Sequence, residues 1–292
     1  MNKKLLVAAI LAALTVSTTT TFASPTFTGE ARILTQKDEG AHTTTDTRFR
    51  LNADSEIGDG FYAHARIQGL DEQSGVSQFA TGASQGVTAT MDQLYLGTKM
   101  GAVDVKAGRQ GLFVGNGILA DVNVQGMSLA TDSQNIGFEA FLGRSGTDDV
   151  TAANLKTKGD VVDFSVGYLQ KDDVKYLALN ADRRLNNNMV LSGNYVKNNT
   201  DNANGFLVKA TVGEAAHKGE FNYALSYRNI EDKAVDGGWS TDSAYNDSKG
   251  FRVEANYKFA DNVNINVFKD FTDKNSDATA LNRAKAELTV IF

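Results

Sequence analysis

Residues 48–69 read RFRLNADSEIGDGFYAHARIQG, and this stretch decides the fold. Phe49, Leu51, Ala53, Ser55 and Ile57 fall on one side of a two-residue period. Arg48, Arg50, Asn52, Asp54 and Glu56 fall on the other. Gly58-Asp59-Gly60 makes a turn, after which Phe61, Ala63, Ala65 and Ile67 alternate with Tyr62, His64, Arg66 and Gln68. Successive side chains of a strand point to opposite faces, so this is a hairpin with one apolar and one charged face.

The same period returns along the chain. Val162, Phe164, Val166 and Tyr168 alternate with Asp163, Ser165 and Gly167. Phe221, Tyr223, Leu225 and Tyr227 alternate with Glu220, Asn222, Ser226 and Arg228. Phe251, Val253, Ala255, Tyr257 and Phe259 alternate with Arg252, Glu254, Asn256 and Lys258. Residues 205–213 and 283–292 behave alike. Helical periodicity never persists long enough to suggest a helical domain.

Composition narrows the class. The chain has 292 residues, 41% of them hydrophobic, with no Cys and one Pro. The absence of Cys excludes a disulfide scaffold and a thiolate metal site. A mean hydropathy of −0.29 excludes a bundle of membrane helices, but not an alternating barrel, whose polar half hides the apolar half from the average. Pro removes a ladder donor, so the lone Pro25 suits a chain that is nearly all strand and connecting loop.

Residues 1–23 read as a cleavable signal peptide: Lys3 and Lys4 precede an apolar run from Leu5 to Leu14, and Thr21-Phe22-Ala23 suits cleavage before Ser24. Ten apolar residues are too short to span about 30 Å of hydrocarbon. The expected organisation is a signal at 1–23 and one transmembrane barrel domain at 24–292.

Alternating strands build either a soluble sandwich with its apolar face inward or a membrane barrel with that face toward lipid and a wet lumen. Three features favour the barrel. The strands run about ten residues, which suits a tilted membrane strand. Their polar faces carry several long charged side chains each. Aromatics gather at strand ends, among them Tyr62, Tyr168, Tyr195, Tyr257 and Phe259, as interfacial girdles require. A soluble secreted β-protein remains the alternative.

Short connections at Gly58-Asp59-Gly60, Gly101-Ala102, 186–188, 214–219 and 260–262 alternate with longer ones at 71–89, 110–123, 231–249 and 271–280. Short inner turns and longer outer loops are expected of such barrels. Reading 124–131, 135–144, 150–158 and 161–170 as four strands gives an all-β, antiparallel, up-and-down barrel of sixteen. Treating 145–159 as one inner connection gives fourteen and breaks the short-turn rule. Sixteen is preferred, although 124–131 and 150–158 alternate poorly. Such a barrel encloses an aqueous lumen. The third outer loop, QGLFVGNGILAD from Gln110 to Asp121, is apolar and Gly-rich, unlike a solvated loop, and is expected to fold into the lumen.

With these features the chain resembles a Gram-negative general (trimeric) porin. The likeness rests on the signal, the 48–69 hairpin, the strand DVKAGRQ (104–110) leading into the third outer loop, and the last strand RAKAELTVIF. That strand matches the family's assembly signal, with Phe292 terminal and Val290 and Leu288 at alternate positions before it. The resemblance implies passive diffusion of small hydrophilic solutes and ions, a homotrimer in outer-membrane lipid, insertion by the barrel-assembly machinery, and a third loop that narrows the pore. In that loop Leu112, Phe113, Asn116 and Asp121 are the constriction candidates. The family's acidic constriction motif is reduced here to Asp121, which leaves selectivity open.

Cations cluster on the lumen faces of the first and last strands: Arg32, Arg48, Arg50, Arg66, Arg283 and Lys285. Strands one and sixteen pair in a closed barrel, so these are expected to form one wall. Lys106 and Arg109 differ in parity, and both reach the lumen only if the strand bulges near Gly108. A basic wall facing an acidic loop tip makes a transverse field, and rings of charge set ion selectivity. The plainer expectation is that these charges keep the channel wet and pair with Glu30, Asp54 and Glu56.

His42, His64 and His217 are scattered, and no catalytic triad or metal cluster can be argued, so no enzyme, cofactor or metal is expected. The acidic balance gives nucleic-acid binding no support. The rival to a channel is a structural or adhesive outer-membrane barrel with a blocked lumen.

Overall fold

A computed structural model describes residues 24–73 and 88–292. The expected signal peptide and most of the loop expected over 71–89 lie outside the described residues. Among the described residues there are sixteen strands: β1 (Thr26–Asp38), β2 (Thr44–Gly58), β3 (Phe61–Gln73), β4 (Thr88–Met100), β5 (Val103–Val114), β6 (Ala120–Asp132), β7 (Ile136–Ser145) and β8 (Asp148–Thr157) come first. Then follow β9 (Val162–Lys171), β10 (Val174–Asn186), β11 (Met189–Asn198), β12 (Ala203–Glu214), β13 (Phe221–Ile230), β14 (Ser248–Ala260), β15 (Val263–Lys274) and β16 (Arg283–Ile291).

Each strand pairs antiparallel with the next, and β1 pairs with β16, so the sheet closes without an edge. The seam runs from Glu30 opposite Ile291 to Asp38 opposite Arg283. Gly29 N donates to Phe292 O at 2.6 Å, and Phe292 N returns a bond to Gly29 O at 3.0 Å, extending the seam to the last residue. The sixteen-strand reading holds, and the inner turns expected at 132–134 and 159–160 fall at 133–135 and 158–161.

Large apolar side chains stand exposed on the outer face, among them Phe49, Leu94, Leu142, Phe164, Phe206, Tyr223 and Phe251. The inward alternates carry arginines on β1–β3 and a packed apolar cluster on β8–β11. This reverses the arrangement of a soluble β-protein, which turns its apolar face to a packed core.

The sequence reading of 110–123 as loop needs correcting. β5 and β6 stay paired as far as Val114 opposite Ala120, and only residues 115–119 connect them. Meanwhile β4 leaves β5 after Leu94 opposite Arg109, and β7 leaves β6 beyond Gln125 opposite Arg144. The hairpin tip is therefore a two-stranded arm detached from the wall. Its own ladder satisfies its backbone, so the segment reads as a loop in sequence and is strand in space.

Glycine makes the departure possible. Gly108 pairs with Gly126, which pairs with Gly143. A Cβ on Gly126 would meet Leu142 O at 2.3 Å and the Phe141 ring at 2.6 Å. With no Cβ, the Phe141 ring packs against the backbone where the arm bends. At the far end the arm reaches Gly167 of β9, whose added Cβ would lie 2.8 Å from Gly115 N.

The two faces of the arm differ. Gln110, Leu112, Val114, Ala120 and Val124 are buried. The apolar ones join a cluster with Val150 and Ala152 of β8, Leu169 of β9, Ala178 of β10, Val196 of β11 and Trp239 of the 231–247 loop. Burying a side chain the size of Leu112 contributes about 1.5–3 kcal/mol. Asn154 of β8 fixes the arm's edge, donating from Nδ2 to Phe113 O at 2.7 Å and accepting from Gly115 N at 3.3 Å. The opposite face carries Gly111, Asp121 and Asn123.

Candidate pore constriction

The alternation of β1, β2 and β3 sets four arginines on one stretch of inner wall. Arg32 lies opposite Arg48, Arg50 lies between Glu30 and Gln68, and Arg66 lies opposite Asn52. Like charges directly opposite each other destabilise a sheet, so carboxylates must intervene. Arg48 donates to Glu30 Oε1 from Nε at 3.1 Å. Arg66 donates to Asp92 Oδ2 from Nε at 2.7 Å, with Nη2 ion-paired to the same oxygen at 2.6 Å. Arg50 donates to the neutral Gln68 Oε1 at 2.6 Å and stays 3.7 Å from Asp92. Arg32 comes no closer than 3.7 Å to Glu287.

Sequence reasoning missed Asp92. The β3–β4 register slips between Arg66 and Ile67, where Gln93 and Met91 are successive partners, and Asp92 is the extra residue. A bulge re-aims a side chain, and here it turns Asp92 toward the arginines. The available signal was a break in alternation at Met91-Asp92-Gln93-Leu94. Asn123 of the arm then covers Asp92: its Nδ2 donates to Asp92 Oδ1 at 2.5 Å, and its Oδ1 accepts from Arg66 Nη2 at 3.3 Å. The arm thus lies with its apolar face against β8–β11, while Asn123 near its base meets Asp92 and Arg66.

The remaining basic candidates are dispersed. Lys285 lies 3.0 Å from Glu287 and 5.7 Å from the centre of the Phe268 ring. Lys106 sits by Asp104 and the Tyr95 ring. No bulge forms at Gly108: the β4–β5 and β5–β6 registers run through it unbroken. Arg109 accordingly keeps the opposite parity to Lys106, stays exposed, and donates from Nε to Asp92 O at 3.0 Å. Arg283 does not join the open wall. It is buried against Asp242 and Asp270, together with Arg228 and Arg252.

Of the constriction candidates, Leu112 is buried in the apolar cluster. Phe113 is 43% exposed, with Lys156 Nζ 5.7 Å from its ring centre. Asn116 stands exposed at the tip with φ of 55°. Asp121 accepts from Thr241 Oγ1 at 2.8 Å. The terminal Phe292 stacks on Phe49 at 5.7 Å between ring centres on the outer face. Leu288 is exposed and Val290 half-buried on the alternate positions before it.

Loop 231–247 straps the arm from the long-loop end of the barrel. Trp239 O accepts from Asp121 N at 2.7 Å, and Thr241 N donates to Gly117 O at 2.8 Å. The strap is clamped by Asp242, which receives Arg252 Nη2 at 2.6 Å and Arg283 Nη2 at 2.7 Å. Burial alone would raise the Asp242 carboxyl, but those two guanidiniums hold it well below the usual carboxylate range. His64 Nδ1 lies 2.7 Å from Asp54 Oδ1, with its ring stacked on Tyr95. Among the described residues no group of three or more His, Cys, Asp or Glu is placed to hold a metal ion.

A closed up-and-down barrel of sixteen antiparallel strands is a fold this chain shares with solved porins. A triple mutant of Rhodopseudomonas blastica porin superposes with a TM-score of 0.67 at 11% identity, covering 92% of this chain and all of that one. A second mutant of the same porin gives 0.67 at 12% identity over the same shares. A structure described as "Asymmetric conductivity of engineered proteins" gives 0.66 at 12%, again over 92% and 100%. No protein-family model and no curated protein matches the chain. At such identities the likeness is one of fold.

Proposed function

We propose that this chain is an outer-membrane channel for passive diffusion of small hydrophilic solutes and ions, and not an enzyme. Residues 1–23 are its cleaved export signal, and 24–292 form a single barrel embedded in outer-membrane lipid as a homotrimer. The strand ending at Phe292 is the segment read by the barrel-assembly machinery. One observation carries the reading: charged side chains line the inner wall on β1–β3, while large apolar side chains stand exposed on the outer face of strand after strand. Charges in that position need water. Planar-bilayer recording tests it. Purified folded protein is expected to give stepwise conductance, and silent membranes would defeat it.

One observation favours a second reading, a barrel with a blocked lumen. The arm and strap form a buried apolar cluster against β8–β11. The same recording decides: an obstructed lumen gives no steps.

A further inference from the structure

We infer that the pore prefers anions, and that Arg32 and Arg50 form the track along which small carboxylates and phosphate pass; this rests on the channel reading. The argument turns on which charges remain available to the lumen. At the level of the arm, Glu30 is taken by Arg48. Glu287 is taken by Lys285 at 3.0 Å and by the Thr289 hydroxyl at 3.2 Å. Asp92 is sealed beneath Arg66 and Asn123, with its side chain only 9% exposed. The guanidiniums are less fully engaged. Arg50 gives its hydrogen bond to a neutral amide. Arg32 has no carboxylate oxygen within hydrogen-bonding reach, Glu287 lying 3.7 Å from its Nη1.

The arm does not supply a balancing acidic surface. Toward the arginines it presents the Asn123 amide and the bare backbone at Gly111, and its one carboxylate, Asp121, is tied to the strap through Thr241. Asp46 and Asp54 lie two residues to one side of Arg48 and four to the other side of Arg50 on β2, and Asp54 is engaged by His64. The field at the constriction is therefore positive on one side and close to neutral on the other. A planar guanidinium with free donors receives a carboxylate or phosphate through paired hydrogen bonds. Narrow walls of low dielectric concentrate such a field on a passing ion.

The test is the reversal potential of the full-length mature protein in a tenfold KCl gradient, scored on preparations that show the heat-modifiable folded band. Wild type is expected to favour chloride over potassium by roughly twofold or more. Arg32→Gln with Arg50→Gln should bring that ratio to about one or below, while Arg32→Lys with Arg50→Lys keeps the chloride preference, because charge is retained. Should the double glutamine variant fail to fold, Arg50→Gln alone is expected to lower the ratio. A conducting wild type that favours potassium overturns the inference and leaves the channel standing, as does a ratio indifferent to glutamine. Absence of conductance overturns both.

Discussion

The two sides of the barrel interior obey the same alternation and meet different surroundings. On β1–β3 the inward positions hold Arg32, Arg48, Arg50 and Arg66, each partly exposed. On β8–β11 they hold Val150, Ala152, Leu169, Ala178 and Val196, all buried beneath the arm. Small and aliphatic side chains facing a lumen need cover from water, and the arm's Leu112, Val114 and Ala120 supply it. The charged side needs water, and its arginines stay partly exposed. One element, apolar on one face and polar on the other, thus divides a single lumen into a packed part and a part lined by arginine.

Four substitutions would break this division, in descending order of effect. Asp270→Ala removes a fully buried carboxylate contacted by Arg228, Arg252 and Arg283. Uncompensated guanidiniums are then left inside, at a cost of about 3–5 kcal/mol, so loss of the folded band at a markedly lower urea concentration is expected. Leu112→Ala hollows the packed side and should cost about 2–5 kcal/mol, with noisier conductance as the arm loosens. Gly167→Val places side-chain atoms where Gly115 now lies. It should cost about 1–3 kcal/mol and raise single-channel conductance by lifting the tip from β9. Thr241→Ala removes one strap bond to Asp121; a loss near 1 kcal/mol and little change in conductance are expected.

The strap also has a defined pH response. Asp242 is depressed in the folded protein, so its contribution is complete above the unfolded carboxyl value of about 3.9 and is lost as pH falls through the folded value. Conductance governed by the strap should therefore be flat from about pH 8 to about pH 4. Asp242→Asn should release the strap at all these values, read as faster proteolysis within 231–247.

Much of the barrel was legible in the sequence because a strand records its two environments residue by residue. Phe49 beside Arg50 and Phe251 beside Arg252 report lipid-type and lumen-type surroundings directly. The segments 124–131 and 150–158 alternated poorly for a reason that appears only in three dimensions. Leu129 and Leu155 face outward, while Val124 lies on the arm's buried face and Val150 and Ala152 pack against that face, so apolar residues fall on both sides of these strands. The same ambiguity hid the arm. Residues 110–114 and 120–123 look like loop because they lie away from the wall, yet they form a paired ladder.

The strand periodicity, the outward apolar face and a cluster of arginines on the first strands follow from local alternation alone, whereas the choice of sixteen strands over fourteen rests on the closed pairing of the barrel. Tertiary structure decided which of those arginines stay open to the lumen. Arg283 and Arg48 occupy similar inward positions, but loop 231–247 brings Asp242 onto one of them and not the other. Asp92 turns toward Arg66 only because the β3–β4 register slips by one residue. Charge and alternation are properties of a residue and its neighbours along the chain. The availability of a charge depends on what folds back over it from far away.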